Sequence, residues 1–171
     1  MEVSDGQLKG VKRITPPTLH EDFRGQYIEL YNETLYREHG IPIHFVQDDM
    51  SVSSKHVLRG IHGDQKTWKL ISCLAGRLYV VVVDCDERSP QFRQWEAFTI
   101  SEQNRQQILV PPKHGIAHLV LTDYAIFHYK QSTYYERASQ FSLLWNDPAL
   151  AIWWPVSNPL VSRRDAGLEG P

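Results

Sequence analysis

Cysteine is scarce in this chain: Cys73 and Cys85 are the two among 171 residues. Two thiols so placed make neither a disulfide framework nor a zinc site, and they read as partly buried free thiols in a reducing cytoplasm. A surplus of one charge is missing too, since 18 Lys and Arg against 20 Asp and Glu leave a net charge of −2. That balance argues against nucleic acid or an anionic membrane as partner, so any bound anion must be gripped by local arginines and lysines. Long apolar runs are also wanting. The longest, Leu78 to Val83, is far too short to span a bilayer, and the stretch from Met1 to Ile14 has no apolar h-region of a signal peptide. Internal repeats and low-complexity segments do not occur. Helical periodicity is weak, confined to Asn32–His39, with Asn32 as N-cap, and a single turn at Ser101–Arg105.

What is present is period-two alternation in short stretches separated by turn residues. It predicts strands at Gly10–Thr15, Gln26–Tyr31, His44–Met50, Val57–Ile61, Trp68–Leu74, Arg77–Asp84, Trp95–Ile100, Gln107–Val110, His118–Leu121 and Tyr124–Ser132. Ala75-Gly76 reads as a tight hairpin turn between two of them, Arg88-Ser89-Pro90 separates the next pair, and Pro111-Pro112 ends another. Many short strands with one or two short helices predict an all-β closed barrel or jelly roll in a single domain spanning residues 1–171. The barrel is expected over about residues 10–135. The segment 136–171, rich in proline and tryptophan, is expected to pack irregularly against it.

The densest chemistry lies in His56-Val57-Leu58-Arg59-Gly60-Ile61-His62-Gly63-Asp64, with Lys66 and Lys69 close behind. On a regular strand Arg59 and His62 face opposite ways, but Gly60 permits a bulge that re-aims them. Gly63 lets backbone come near a ligand. A lone arginine and histidine at such spacing are more often structural. So many cationic groups in an otherwise apolar strand pair must be satisfied internally or offered to a ligand.

The ordered signposts Asp22-Phe23-Arg24-Gly25 with Glu29, Phe45-Val46-Gln47-Asp48, Val57-Leu58-Arg59-Gly60-Ile61-His62, Val82-Val83-Asp84 with Ser89-Pro90, and Leu109-Val110-Pro111 continue through Tyr129-Lys130 and Tyr134-Tyr135. Trp145-Asn146-Asp147-Pro148, Trp154-Pro155 and Ser162-Arg163-Arg164-Asp165 complete the series. In these the chain resembles the dTDP-4-dehydrorhamnose 3,5-epimerase family, a branch of the cupin jelly rolls, from about Gly10 to Asp165. Within it, Ile61 to Leu70 looks like a short-loop sub-branch that includes epimerases of GDP-linked 4-keto-6-deoxy-heptoses in capsule pathways. The resemblance implies an isomerase that inverts C3, C5 or both of a GDP- or dTDP-linked 4-keto-6-deoxy sugar, for bacterial surface carbohydrates such as capsule or lipopolysaccharide. It also implies no metal, no cofactor and a homodimer, which an exposed strand Gly10–Thr15 in need of a partner edge would favour.

Residue by residue, the resemblance implies a catalytic base at His62, suited to removing a proton beside a ketone. Asp165 matches the carboxylate that orients this histidine; without the resemblance it reads as a solvated tail residue. Lys69 matches the cation that faces the C4 oxygen and stabilises an enolate. Tyr135 matches the acid that reprotonates the other face, with Tyr134 the neighbouring choice and barrel packing the plainer reading of either. Arg59 and Arg24 match diphosphate contacts, the Arg24 segment coming in the family from a neighbouring subunit. Gln47 and Glu29 match further sugar-nucleotide contacts. Asp49 and Met50 stand where the family has Asn-His, and the stretch His114–His118 departs from its usual F-A-H-G-F. His118, offset by two from the family's histidine, is a substrate-pocket candidate as well as a packed core residue.

Three rival readings meet obstacles in the residues. A metal-dependent cupin needs an H-x-H pair with a carboxylate and a later histidine, and His62 is followed by Gly63 and Asp64. A cupin 3,4-ketoisomerase resembles that same H-x-H pattern. A non-catalytic sugar-nucleotide-binding cupin has no use for a base and an acid together.

Overall fold

Alternation becomes a strand where one face can be buried, and here two antiparallel sheets bury theirs against each other as a jelly roll. The computed structural model describes residues 1–168. One sheet contains β1 (Glu2–Asp5), β2 (Lys12–Thr15), β5 (Gln47–Ser54), β7 (Lys69–Ala75), β10 (Gln107–Val110) and β12 (Tyr124–Gln131), in the order β1-β2-β10-β7-β12-β5. The other runs β13-β6-β11-β8-β9, from β6 (Leu58–Gly63), β8 (Arg77–Asp84), β9 (Trp95–Ser101), β11 (His114–Val120) and β13 (Phe141–Ser142). Among the described residues two strands, β3 (Thr18–Asp22) and β4 (Gly25–Ile28), pair only with each other. The helix α1 (Glu33–Glu38) is capped as expected: Asn32 Oδ1 accepts the N–H groups of Thr34 and Leu35 at 3.1 and 3.2 Å.

Three apolar clusters hold these layers. Between the sheets lie Ile71, Val80, Val82, Phe98, Ile100, Ile108 and Val110, with Ile116 and Phe127. Behind the smaller sheet, Tyr79, Val81 and Val83 are covered by Leu143, Trp145, Leu150, Ile152 and Trp154 of the segment that follows the barrel. β8 is therefore buried on both faces, which is why Leu78–Val83 reads as a continuous apolar run instead of an alternation. Each such aliphatic side chain contributes about 1.5–3 kcal/mol of burial. Over the larger sheet, Tyr36 and Ile41 of the helical segment pack with Ile14, Leu70 and Leu109.

Two expectations are corrected, the hairpin at Ala75-Gly76 and the open edge at Gly10–Thr15. Ala75-Gly76 is not a β-hairpin, because β7 and β8 belong to different sheets. It is a corner where the chain crosses the barrel. Gly76 has φ +76°, and a Cβ there would lie 2.3 Å from the Tyr124 carbonyl oxygen. Nor is β2 an open edge: it pairs with β1 on one side and β10 on the other, so the edge argument for a dimer fails. Ser101–Arg105 is one hydrogen-bonded turn, closed by Arg105 N–H to Ser101 O at 2.8 Å, with the Asn104 side chain accepting from Ser101 N–H. β1 and β3 are too polar to announce themselves, being mostly exposed.

Candidate active site

The site begins with the irregularity in β6. Opposite it on β11, Ile116 pairs with His62 and His118 with Arg59. Two steps along β11 thus match three along β6, so β6 carries an extra residue. Gly60 absorbs it at φ +117°, in a space so tight that a Cβ would meet Ile116 O at 2.5 Å and Ala117 Cα at 2.7 Å. The bulge turns Arg59 and His62 onto the wall of the same cavity.

That cavity, about 270 Å³, opens between the sheets, with Lys69, Ile71, Phe127 and Tyr129 of the larger sheet facing Arg59, His62, Ile116 and His118 of the smaller. Asp49, Met50 and Ser51 of β5 join the wall, as do Tyr135, Gln140 and Arg164 from the later chain.

His62 Nε2 lies 2.8 Å from Oδ1 of Asp165, 103 residues along the chain. Asp165 is buried, and its Oδ2 also accepts the Gly60 N–H at 3.3 Å. Burial alone would raise this carboxyl. The bond and charge of His62, then Gly60 N–H and Ser162, outweigh it and hold the group below the ordinary aspartate range. An ionised carboxylate only accepts, so His62 donates Nε2–H, and in the neutral ring Nδ1 is the nitrogen left with a lone pair. A base with an oriented tautomer results.

Lys69 carries the cation. Burial pulls its ammonium below the usual lysine value, while Asp64 and Asp49 oppose the shift. Its Nζ sits 5.6 Å from the Tyr129 ring centroid, and among the described residues no acceptor lies in hydrogen-bond reach. The Tyr129 phenol is pushed up to about 12, by burial first and by Asp49 second, which makes it a poor acid. Of the two tyrosines that adjoin in sequence, Tyr135 lines the cavity, whereas Tyr134 is 76% exposed and does not.

His118 combines both expected characters, for it is packed and on the cavity wall. Its ring stacks on Phe127, 3.9 Å between centroids and 10° from parallel. Burial, then the charges of Arg59 and His62, drive its pKa down to about 3, so it is neutral. Its Nε2 is sealed from solvent and has no partner among the described residues. Arg59 Nε donates to Ser53 Oγ at 3.1 Å, with its side chain reaching the cavity rim.

Three sequence candidates stand apart from this wall. Arg24 sits at the β3–β4 turn, paired with Asp22 at 2.6 Å and largely exposed. Glu29 accepts from Asn32 Nδ2 at 3.3 Å. Gln47 is adjacent to the cavity, but both ends of its amide are taken: Nε2 donates to Asp49 and Oε1 accepts from Tyr135 N–H. Conversely, Asp49, Phe127, Tyr129, Gln140 and Arg164 line the wall without having been assigned roles. For Asp49 the signal was its departure from the usual asparagine, and for Arg164 its place beside Asp165. Gln140 gave none. Among the described residues no group of three or more His, Cys, Asp or Glu side chains is placed to hold a metal ion, and no helix is long and apolar enough to cross a membrane.

Comparison with known proteins places this geometry in context. The family model described as dTDP-4-dehydrorhamnose 3,5-epimerase matches residues 5–170. The dTDP-4-dehydrorhamnose 3,5-epimerase of Salmonella typhimurium strain LT2 is 41% identical over 160 residues, 90% of this chain and 86% of that one. A crystal structure of the dTDP-6-deoxy-D-glucose-3,5-epimerase of Legionella pneumophila, in complex with dTDP-4-keto-L-rhamnose, superposes with a TM-score of 0.91. It shares 38% identity and covers 97% of this chain and 90% of its own. A 4-keto-6-deoxy sugar epimerase from the novobiocin biosynthetic gene cluster of Streptomyces spheroides superposes at 0.89. It is 30% identical, over 98% of this chain and 92% of its own.

Proposed function

The chain belongs to the dTDP-4-dehydrorhamnose 3,5-epimerase family of isomerases, and we propose that it inverts C3, C5 or both of a dTDP-linked 4-keto-6-deoxy sugar through an enolate, without a metal. One observation carries the reading. A histidine oriented by a buried carboxylate shares a cavity of sugar size with an unpaired lysine and an accessible phenol.

In the proposed sequence His62 Nδ1 removes the proton at C3 or C5. The C4 carbonyl takes up the electron pair, and Lys69 stabilises the enolate oxygen. Asp165 stabilises the imidazolium without itself taking the proton. Tyr135 then gives its phenolic proton to the other face of the carbon, and solvent restores the two groups. Arg59 grips the diphosphate at the rim, and neutral His118 offers a ring nitrogen to a sugar hydroxyl on the floor.

The nucleotide is assigned as dTDP because the relatives' names carry dTDP-linked sugars, in preference to the GDP-linked heptoses that the short loop after His62 suggested. Arg24 and Glu29 are proposed to serve the cavity of a second copy in a homodimer, since neither reaches its own. The test is incubation with dTDP- and GDP-linked 4-keto-6-deoxy sugars in D₂O, reading deuterium and configuration at C3 and C5. Wash-in with inversion is expected for the dTDP sugar. Absence of exchange at both carbons of both substrates would sink the proposal, and faster turnover of the GDP sugar would reverse the nucleotide assignment. Prolonged EDTA treatment should leave the rate unchanged; loss with recovery on adding a divalent metal would overturn the metal-free sequence.

A further inference from the structure

Along one side of the cavity wall runs a hydrogen-bonded chain that ends on the backbone of Tyr135 and whose other members, Asp49, Gln47 and Gln131, the proposed reaction does not use. Gln47 Nε2 and Gln131 Nε2 both donate to Oδ2 of Asp49, at 2.8 and 3.2 Å. Gln47 Oε1 accepts the backbone N–H of Tyr135 at 2.9 Å, across 88 residues of sequence. The fold dictates the meeting. Gln47 and Asp49 stand two apart on β5 and so share one face, and Gln131 lies directly across from Gln47 on β12. Past Ser132, whose N–H still reaches Trp68 O at 3.0 Å, the chain leaves the sheet, and among the described residues Tyr135 has no ladder partner.

The chemistry of the three groups sets the direction of the chain. An amide has a donor end and an acceptor end, whereas an ionised carboxylate only accepts. Asp49 therefore obliges Gln47 to turn its NH₂ inward, and the amide oxygen is left for Tyr135. An asparagine at position 49, which can donate or accept, would leave Gln47 free to flip.

We infer that Asp49 and Gln47 are positioning residues: the carboxylate orients the Gln47 amide, and that amide holds the backbone of Tyr135 so that its phenol stays on the cavity wall. This rests on the acid role proposed for Tyr135, and it replaces the expectation that Gln47 contacts the sugar nucleotide. The same carboxylate helps keep Lys69 charged and the Tyr129 phenol protonated, so one group favours Tyr135 over its buried neighbour as the proton donor.

An exchange of donor and acceptor tests the chain. Gln47→Glu keeps an oxygen for Tyr135 but sets a second carboxylate against Asp49. Adding Asp49→Asn to it restores a donor–acceptor pair with the polarity reversed. With the dTDP-linked 4-keto sugar in D₂O, Gln47→Glu and Gln47→Leu should lower kcat for inversion by about tenfold or more, the scale of a small misplacement. His62-dependent deuterium wash-in and KM should stay near wild type. The double substitution should recover most of the inversion lost in Gln47→Glu, whereas Gln47→Leu combined with Asp49→Asn should not recover. Exchange of the Tyr135 amide proton, followed by NMR without substrate, should quicken in Gln47→Leu and slow again in the Glu/Asn pair. That second measurement needs no turnover, so it judges the chain even if the wild type acts on neither sugar. Unchanged Tyr135 amide exchange in Gln47→Leu, absence of rescue in the double substitution, or a raised KM with wash-in and inversion falling together would each overturn the inference.

Discussion

Two histidines in one cavity are set to different tasks by their surroundings. His62 is partly exposed and bonded to an ionised carboxylate, whereas His118 is stacked, buried and neutral. His62→Asn should abolish deuterium entry at both ring carbons, because no other group starts the reaction. Tyr135→Phe should behave differently: the enolate still forms and can take deuterium back on the face it lost a proton from. Its net inversion should fall by roughly 10²-fold or more, the usual scale for a general acid. NMR of the recovered sugar separates the outcomes, and wild-type inversion in Tyr135→Phe would shift the role to another group. His118 leaves its mark on stability. Its folded pKa, about 3, lies below the ordinary unfolded value of about 6.5. Between those limits the unfolded chain binds a proton that the folded chain refuses, so stability falls as pH falls through that window. His118→Phe should flatten the acid limb of Tm against pH between about 4 and 6.5 relative to wild type. Asp165, held below the ordinary carboxylate range, acts in the same direction but at lower pH. An unchanged slope in His118→Phe would show that the ring is not refusing the proton.

At the scale of the strand, one glycine decides the site. Were β6 a regular strand with no bulge, Arg59 and His62, three residues apart, would point to opposite faces. Gly60→Ala asks an L residue to hold φ +117° with its Cβ 2.5 Å from a carbonyl oxygen. It should cost about 2–4 kcal/mol of stability, the scale of a strained core backbone position. The protein that still folds should have lost most of its activity, because the bulge also aims the base. Urea denaturation and turnover on one preparation would check both, and a variant as stable and active as wild type would refute the assignment. Gly60 also marks how far the sequence could be read. Alternation located the principal strands, since burying one face at a time leaves a period of two. It could not tell a hairpin from a corner at Ala75-Gly76, because both demand a left-handed glycine and only the partner strands differ. His62 and Lys69 were readable because cations are conspicuous in an apolar strand pair. Asp165 was readable only through family resemblance, as 103 residues of fold separate it from its partner. The full engagement of the Gln47 amide was not readable at all, for nothing local says where an amide finds its two partners.

Across the whole molecule, the β3–β4 arm is the piece that the single chain leaves unexplained. It belongs to neither large sheet, and Phe23 at its turn is 98% exposed beside Tyr27 at 66%. Aromatic surface of that kind marks an interaction site. The arm also carries Arg24, a guanidinium suited to a diphosphate, yet set away from the cavity of its own chain. A two-fold homodimer in which each arm covers the other copy's cavity would bury the aromatics and complete the cationic rim together, because a two-fold interface repeats every contact reciprocally. Light scattering should therefore report about twice the 19.8 kDa chain mass. The sharper measurement is complementation. Arg24→Ala and His62→Asn chains should each be impaired alone. If arms cross, a mixed dimer pairs the intact arm of one chain with the intact base of the other, giving one complete site and one doubly defective site. Half of the dimers are mixed after free exchange, so about a quarter of wild-type activity should return on co-refolding equal amounts, as two-fold symmetry requires. An arm that folds onto its own cavity predicts no recovery, because no site in any dimer would then hold both residues. A monomer with full activity, or a mixture no better than the average of its parents, would defeat the shared site.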